Sequence, residues 1–211
     1  MKKVFLTAVA LATFGYSQAQ DKTSTQVSFG AKAGVNFATF YLSEDSAADS
    51  KPFVGVHLGG FVNIPLSDKV SFQPELLYSM QGLKEEINDP GEKYDGKTAV
   101  NYLNVPLNFQ FVLVDKLFME AGPQIGFLLS ATNEYTYSYT TGGVTTTISD
   151  SDDAKEVFKG TDFGFNLGAG YHFTEKLSAN LRYTFGLSAI DEVEGVDMSN
   201  RVLQLSIGYK F

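Results

Sequence analysis

From about residue 26 onward, apolar and polar positions alternate with a period of two, and the alternation holds for about 10 to 14 residues at a time, longer than an ordinary strand. Val27, Phe29, Ala31, Ala33, Val35 and Phe37 share one face, and Ser28, Gly30, Lys32, Gly34 and Asn36 the other. The segments Asp162 to Phe173 and Leu177 to Ser188 repeat the pattern. It predicts eight strands, near residues 26–37, 53–64, 70–82, 99–111, 117–130, 162–173, 177–189 and 200–211. The connections alternate: long at 38–52, 83–98 and 131–161, short at 65–69, 112–116 and 174–176, and intermediate at 190–199. Long strands joined alternately by tight turns and long loops predict an eight-stranded antiparallel up-and-down transmembrane β-barrel. Backbone groups at an open edge would go without partners in lipid, so the segment 26–37 is expected to pair antiparallel with 200–211.

The character of the two faces decides which one meets lipid. The polar face is mostly Gly, Ser, Asn and Gln, which suits a crowded interior, whereas a soluble barrel needs charge on its wet face. The apolar face is rich in aromatics; its lipid-facing candidates include Phe72, Leu76, Tyr78, Leu107, Phe109, Ile125, Phe127, Phe165, Tyr183 and Phe185. Arg201 is the charge at outward parity, and it stands at the start of the last strand, where a long side chain reaches the interface.

The first residues differ in kind. Lys2 and Lys3 precede an apolar run from Val4 to Tyr16, and Ser17-Gln18-Ala19 follows with small residues at signal-peptidase spacing. Residues 1–19 are therefore expected to be a signal peptide and 20–211 an outer-membrane β-barrel domain. The run is too short to span a bilayer as a helix, and no later stretch is long enough either.

Composition removes several classes of function. With 16 Lys and Arg against 24 Asp and Glu the net charge is −8, which argues against nucleic acid as a partner. The absence of cysteine excludes disulfides, thiolate chemistry and Cys-based metal sites. There is no phosphate-binding glycine loop, paired-histidine zinc motif or serine elbow, so no enzymatic activity, cofactor or metal is expected. His57 and His172 fall at different heights and do not suggest a shared metal.

Asn101-Tyr102-Leu103-Asn104-Val105-Pro106-Leu107, Gly122-Pro123 before Gly126, Asp162-Phe163-Gly164 leading into Gly168-Ala169-Gly170-Tyr171, and Arg182-Tyr183-Thr184-Phe185-Gly186-Leu187 together resemble one family. It is the small outer-membrane β-barrel group, often labelled porin family, common in Bacteroidota. The resemblance runs from about residue 26 to 211 and implies location and fold without establishing a pore. The terminal Gly208-Tyr209-Lys210-Phe211 resembles the signal read by the barrel assembly machinery, with Tyr209 and Phe211 in the aromatic positions.

Inward parity collects Glu75, Glu120 and Arg182, and a charge enclosed there must be paired or hydrated. Arg182 is expected to bridge at least one of the two glutamates, with Gln73, Tyr102, Asn104 and Gln124 as polar neighbours. In the connection 131–161, Tyr135, Tyr137 and Tyr139 alternate before Gly142-Gly143 and Val144 to Ile148, which reads as a projecting hairpin and a possible surface for an unidentified extracellular partner. Acidic groups crowd the same side: Glu44, Asp45, Asp49, Glu85, Glu86, Asp89, Glu92, Asp95, Asp150, Asp152, Asp153, Asp191, Glu192, Glu194 and Asp197. They lack the ligand spacing of a calcium loop. The expectation is an integral outer-membrane protein with a structural or surface-interaction role, a plugged polar lumen, extracellular long loops and periplasmic termini. A narrow channel for small solutes and a soluble periplasmic ligand-binding barrel are the alternatives.

Overall fold

The computed structural model describes residues 26–42, 50–191 and 198–211. The expected signal peptide, and with it Glu44, Asp45, Asp49, Glu192, Glu194 and Asp197, lie outside the described residues. Among the described residues no helix is long and apolar enough to cross a membrane.

The described residues form nine strands: β1 (Ser28–Leu42), β2 (Ser50–Pro65), β3 (Val70–Asp89), β4 (Glu92–Val114), β5 (Leu117–Thr141), β6 (Val144–Asp153), β7 (Thr161–His172), β8 (Leu177–Gly186) and β9 (Met198–Lys210). The order in the sheet is β4-β3-β2-β1-β9-β8-β7-β5-β6, with a further pairing of β4 to β5. The hydrogen-bonded pairings therefore run in a ring, and among the described residues β6 is attached to β5 alone. This corrects the expected eight-stranded up-and-down barrel: the sheet has nine strands, and the hairpin of β5 and β6 breaks the simple progression.

The first and last strands pair antiparallel, from Gly30 opposite Lys210 to Leu42 opposite Met198. The connection expected at 83–98 is instead the paired continuation of β3 and β4 up to a turn at Pro90-Gly91. Gly91 takes a φ of 91°, which is left-handed backbone open to glycine. Gly142 and Gly143, at φ 61° and 78°, form the corresponding tight turn between β5 and β6.

Through the ring the sheet is inside out relative to a water-soluble protein. Phe165 is 41% exposed and Leu181 50%, while Arg182, next to Leu181, is 1% exposed. All ten lipid-facing candidates are exposed or half-exposed. Arg201 does not project freely: it donates to the Gly186 carbonyl at 2.8 Å and lies over the Tyr41 and Phe185 rings.

The interior accommodates large side chains where the facing strand carries glycine. Phe118 lies over Gly170, where an added Cβ would come within 2.2 Å of the ring and 2.7 Å of the Ala179 carbonyl oxygen. Gly170→Ala is expected to destabilise the fold by about 1–3 kcal/mol. A combined Phe118→Leu change should recover part of that, as read from urea midpoints in detergent.

Candidate functional site

Four charged side chains meet inside the ring, one each from β1, β3, β5 and β8. Strand parity turns each of them inward. Arg182 donates from both terminal nitrogens to Glu75, Nη1 to Oε2 and Nη2 to Oε1, each at 2.9 Å, and from Nε to Glu120 at 2.5 Å. Lys32 completes the group by pairing with Glu75 Oε1 at 2.5 Å. Two cations and two carboxylates balance, and a forked guanidinium holding two carboxylates is a strong, directional geometry. Glu75, Glu120 and Arg182 are all at least 97% buried in this arrangement.

Amides and hydroxyls surround the charges. Gln73 donates to Glu75 at 2.9 Å, and Gln110 to Glu120 at 3.4 Å. Further along, Asn36 donates to Ser79 and the Met80 carbonyl and accepts from Gln204, and it lies 2.7 Å from His57 Nδ1. Asn166 donates to Asn108 and Gln124 and accepts from Thr184.

Of the residues singled out in the sequence, Gln73 stands beside Glu75 and Gln124 lies in the neighbouring amide layer. Asn104 is buried against Gly126 without contacting the charges. Tyr102 belongs elsewhere, in an apolar cluster with Phe40, Leu83, Val100, Leu128, Ala131, Phe158 and Ile190. Phe158 and Ile190 come from connections that fold in, tied by Lys159 N–H to the Ile190 carbonyl at 2.7 Å and a bridge between Phe158 and Asp191. The polar interior is thus covered at this end by apolar side chains.

Lys32 is the charged partner missing from the sequence-derived set. Its signal was present in its parity, between Gly30 and Gly34 on the inward face. His57 and His172 belong to separate surroundings, His172 lying 4.7 Å from the Phe118 ring centre. No cluster of three or more metal-ligating side chains occurs among the described residues. The two glutamates do not form an acid and base pair across a cleft, because Arg182 lies between them and bonds to both.

A second feature lies beyond the apolar cover, where the later part of β3, the first part of β4, the later part of β5 and all of β6 extend as a four-stranded flap. Register places Glu85, Ile87, Asp89, Glu92, Tyr94, Tyr135, Tyr137, Tyr139, Ile148 and Asp150 on one face. The ring centres of Tyr94 and Tyr135 are 6.5 Å apart, and those of Tyr137 and Tyr139 are 5.8 Å apart. Burial, then the Glu85 carboxylate and Tyr135, pushes the Tyr94 phenol above its ordinary range; burial, then Glu92, does the same for Tyr137.

The opposite face carries Lys84, Lys93 and Lys97 among Glu86, Asp95 and Glu134, and a ladder of hydroxyls: Thr136 with Ser149, Ser138 with Thr147, and Thr140 with Thr145.

A family model described as "Outer membrane protein beta-barrel domain" matches residues 18–192. The chain belongs to this family. As an outer-membrane β-barrel domain protein it is placed in the outer membrane, with an apolar outer surface suited to lipid. The family is described by its membrane domain.

The membership extends to the family and carries no sign of a Bacteroidota source. No curated protein matches the chain. Among solved structures, CarO of Acinetobacter baumannii is similar at 11% identity and a TM-score of 0.48, over 86% of this chain and 97% of that one. The attachment invasion locus protein Ail of Yersinia pestis is similar at 13% identity and 0.46, over 88% and 99%. Neisserial surface protein A stands at 14% and 0.43, over 88% and 99%. Likenesses this distant transfer no ligand or partner to the present chain.

Proposed function

We propose that this protein is a surface-interaction component of the outer membrane whose interior is a permanent internal staple and whose flap is the working part. The observation that carries this reading is the inversion of the wall: phenylalanine and leucine outside, ion pairs and amides inside. In this reading the apolar face contacts lipid, the short turns at 66–69, 115–116 and 174–176 and both termini face the periplasm, and the flap stands outside the cell. Tyr209 and Phe211, on the last strand and just past it, serve as the aromatic positions read during assembly. The membrane domain is of the porin-family kind that the sequence resembles, without a working pore.

Packing supports a filled interior. The layer of Lys32, Glu75, Glu120 and Arg182 lies between inward aromatic side chains such as Phe118 and the apolar cluster around Tyr102, which leaves any solute path to cross two greasy layers and one ionic one. The refolded protein is therefore expected to be electrically silent in planar bilayers; steady unitary conductance of the unmodified chain would favour the narrow-channel alternative. Release from membranes by salt or carbonate, without detergent, would favour the soluble alternative. Protease shaving of intact cells tests orientation: cleavage within the flap supports it, and protection of the flap with cleavage only after lysis would reverse it.

A further inference from the structure

The two faces of the flap are treated differently by the sequence. On the hydroxyl face the carboxylates are neutralised: Glu86 pairs with Lys51, Asp95 with Lys93 at 2.7 Å, and Glu134 with Lys97 at 3.1 Å. On the tyrosine face Glu85, Asp89, Glu92 and Asp150 take part in no ion pair among the described residues, and all three lysines of these flap strands point to the other side. Asp89 stands directly opposite Glu92, a cross-strand juxtaposition of like charges that destabilises a bare sheet. A shallow groove of about 300 Å³ runs beside it, between the Pro90-Gly91 turn, Glu92, Tyr137 and Tyr139. Tyrosine rings flanked by unpaired carboxylates form a surface complementary to a cation, through ring faces and charge together.

The edge beside this surface is open. Among the described residues β6 pairs only with β5, and all its residues are exposed. With Thr141 opposite Val144 across a two-residue turn, the hydrogen-bonded pairs fall at 144, 146, 148 and 150. The N–H and C=O groups of Thr145, Thr147 and Ser149 therefore point away from the sheet. From Val144 to Ser149 the edge has no charge, no proline and no bulge, which are the usual defences of an unpaired edge strand.

We propose that this edge receives an extended, lysine- or arginine-rich segment of a partner protein as an added strand, with its alternate basic side chains over the tyrosine and carboxylate face. A second copy of the chain fits less well. Two copies inserted the same way into one membrane are related by rotation about its normal, so their β6 strands run in the same sense. Parallel pairing would then bring Asp150, Asp152 and Asp153 alongside their own counterparts. An antiparallel basic segment meets those carboxylates with opposite charge. The inference rests on the surface-interaction reading but needs no assumption about orientation, because it can be tested on purified protein.

The experiment uses the full chain folded in lipid nanodiscs and a labelled ten-residue peptide of alternating lysine and threonine, followed by fluorescence anisotropy. The peptide is expected to bind, to weaken several-fold as NaCl rises from about 50 to 300 mM, and to outcompete a glutamate-threonine control. Thr147→Pro removes an edge N–H without touching any backbone bond between β5 and β6 and should weaken binding about tenfold, whereas Thr147→Ala, which loses the same hydroxyl contact with Ser138, should not. Glu92→Gln combined with Asp150→Asn should also weaken it about tenfold.

Equal binding of both peptides, indifference to Thr147→Pro, or dimerisation through β6 would each overturn the proposal. Binding that follows the expected pattern on purified protein, together with a flap protected in intact cells, would uphold the docking surface and remove its assignment to the cell exterior.

Discussion

Arg182→Ala is expected to lower the stability of the folded protein by about 3–5 kcal/mol, the cost of leaving a buried carboxylate without its counter-charge. The loss falls unequally on the two glutamates. Glu75 retains Lys32 at 2.5 Å and Gln73 at 2.9 Å, while Glu120 retains only the amide of Gln110 at 3.4 Å. The measurement is the urea midpoint in detergent micelles, followed by circular dichroism because the chain has no tryptophan. Replacing the whole group, with methionine at Lys32 and Arg182 and glutamine at Glu75 and Glu120, should recover most of the loss, since neutral side chains of similar size leave no stranded charge. A cost below about 1 kcal/mol for Arg182→Ala would mean that water reaches Glu120 and the interior is not sealed.

Leu181→Arg should cost about 2–4 kcal/mol, the range for arginine near the bilayer midplane on an outward-facing strand position. The expected sign is the reverse of that at the next residue: arginine is required at 182 and excluded at 181. The readout is the fraction of protein that folds into vesicles and shifts its gel mobility on heating, with Asn180→Ser as an inward-facing control for general disturbance of β8. Normal assembly of Leu181→Arg would mean that this face does not meet hydrocarbon.

The period-two pattern located the strands inside the membrane because each has one greasy side and one wet side. It registers the flap only faintly for the same reason. Thr145, Thr147 and Ser149 meet water on their side of β6 as Val144 and Thr146 do on theirs, so the alternation fades and β6 is announced only as the far arm of a projecting hairpin, by the Gly142-Gly143 turn. Residues 83–98 carry so many charges that they too look like a connection, although they are paired to the turn. The apolar cover is not legible in the alternation because the register of β4 and β5 slips between Asn101 and Tyr102, which moves the inward parity of β5 from Leu128 to Ala131. Parity alone points to the interior charges Glu75, Glu120 and Arg182, whereas Lys32 sits inconspicuously between Gly30 and Gly34, and without it the charges do not sum to zero.

The seam between β1 and β9 has a consequence for how the molecule is made. Residues 30–42 find their partners at 198–210, and Arg182 reaches back 107 positions to Glu75. A nascent chain must therefore travel with one edge of its earliest strand unmatched until its last has emerged, and neither the wall nor the ionic knot can be finished piecemeal. Such long-range closure makes folding slow and intermediates sticky, so an escort across the periplasm becomes a requirement of the topology itself.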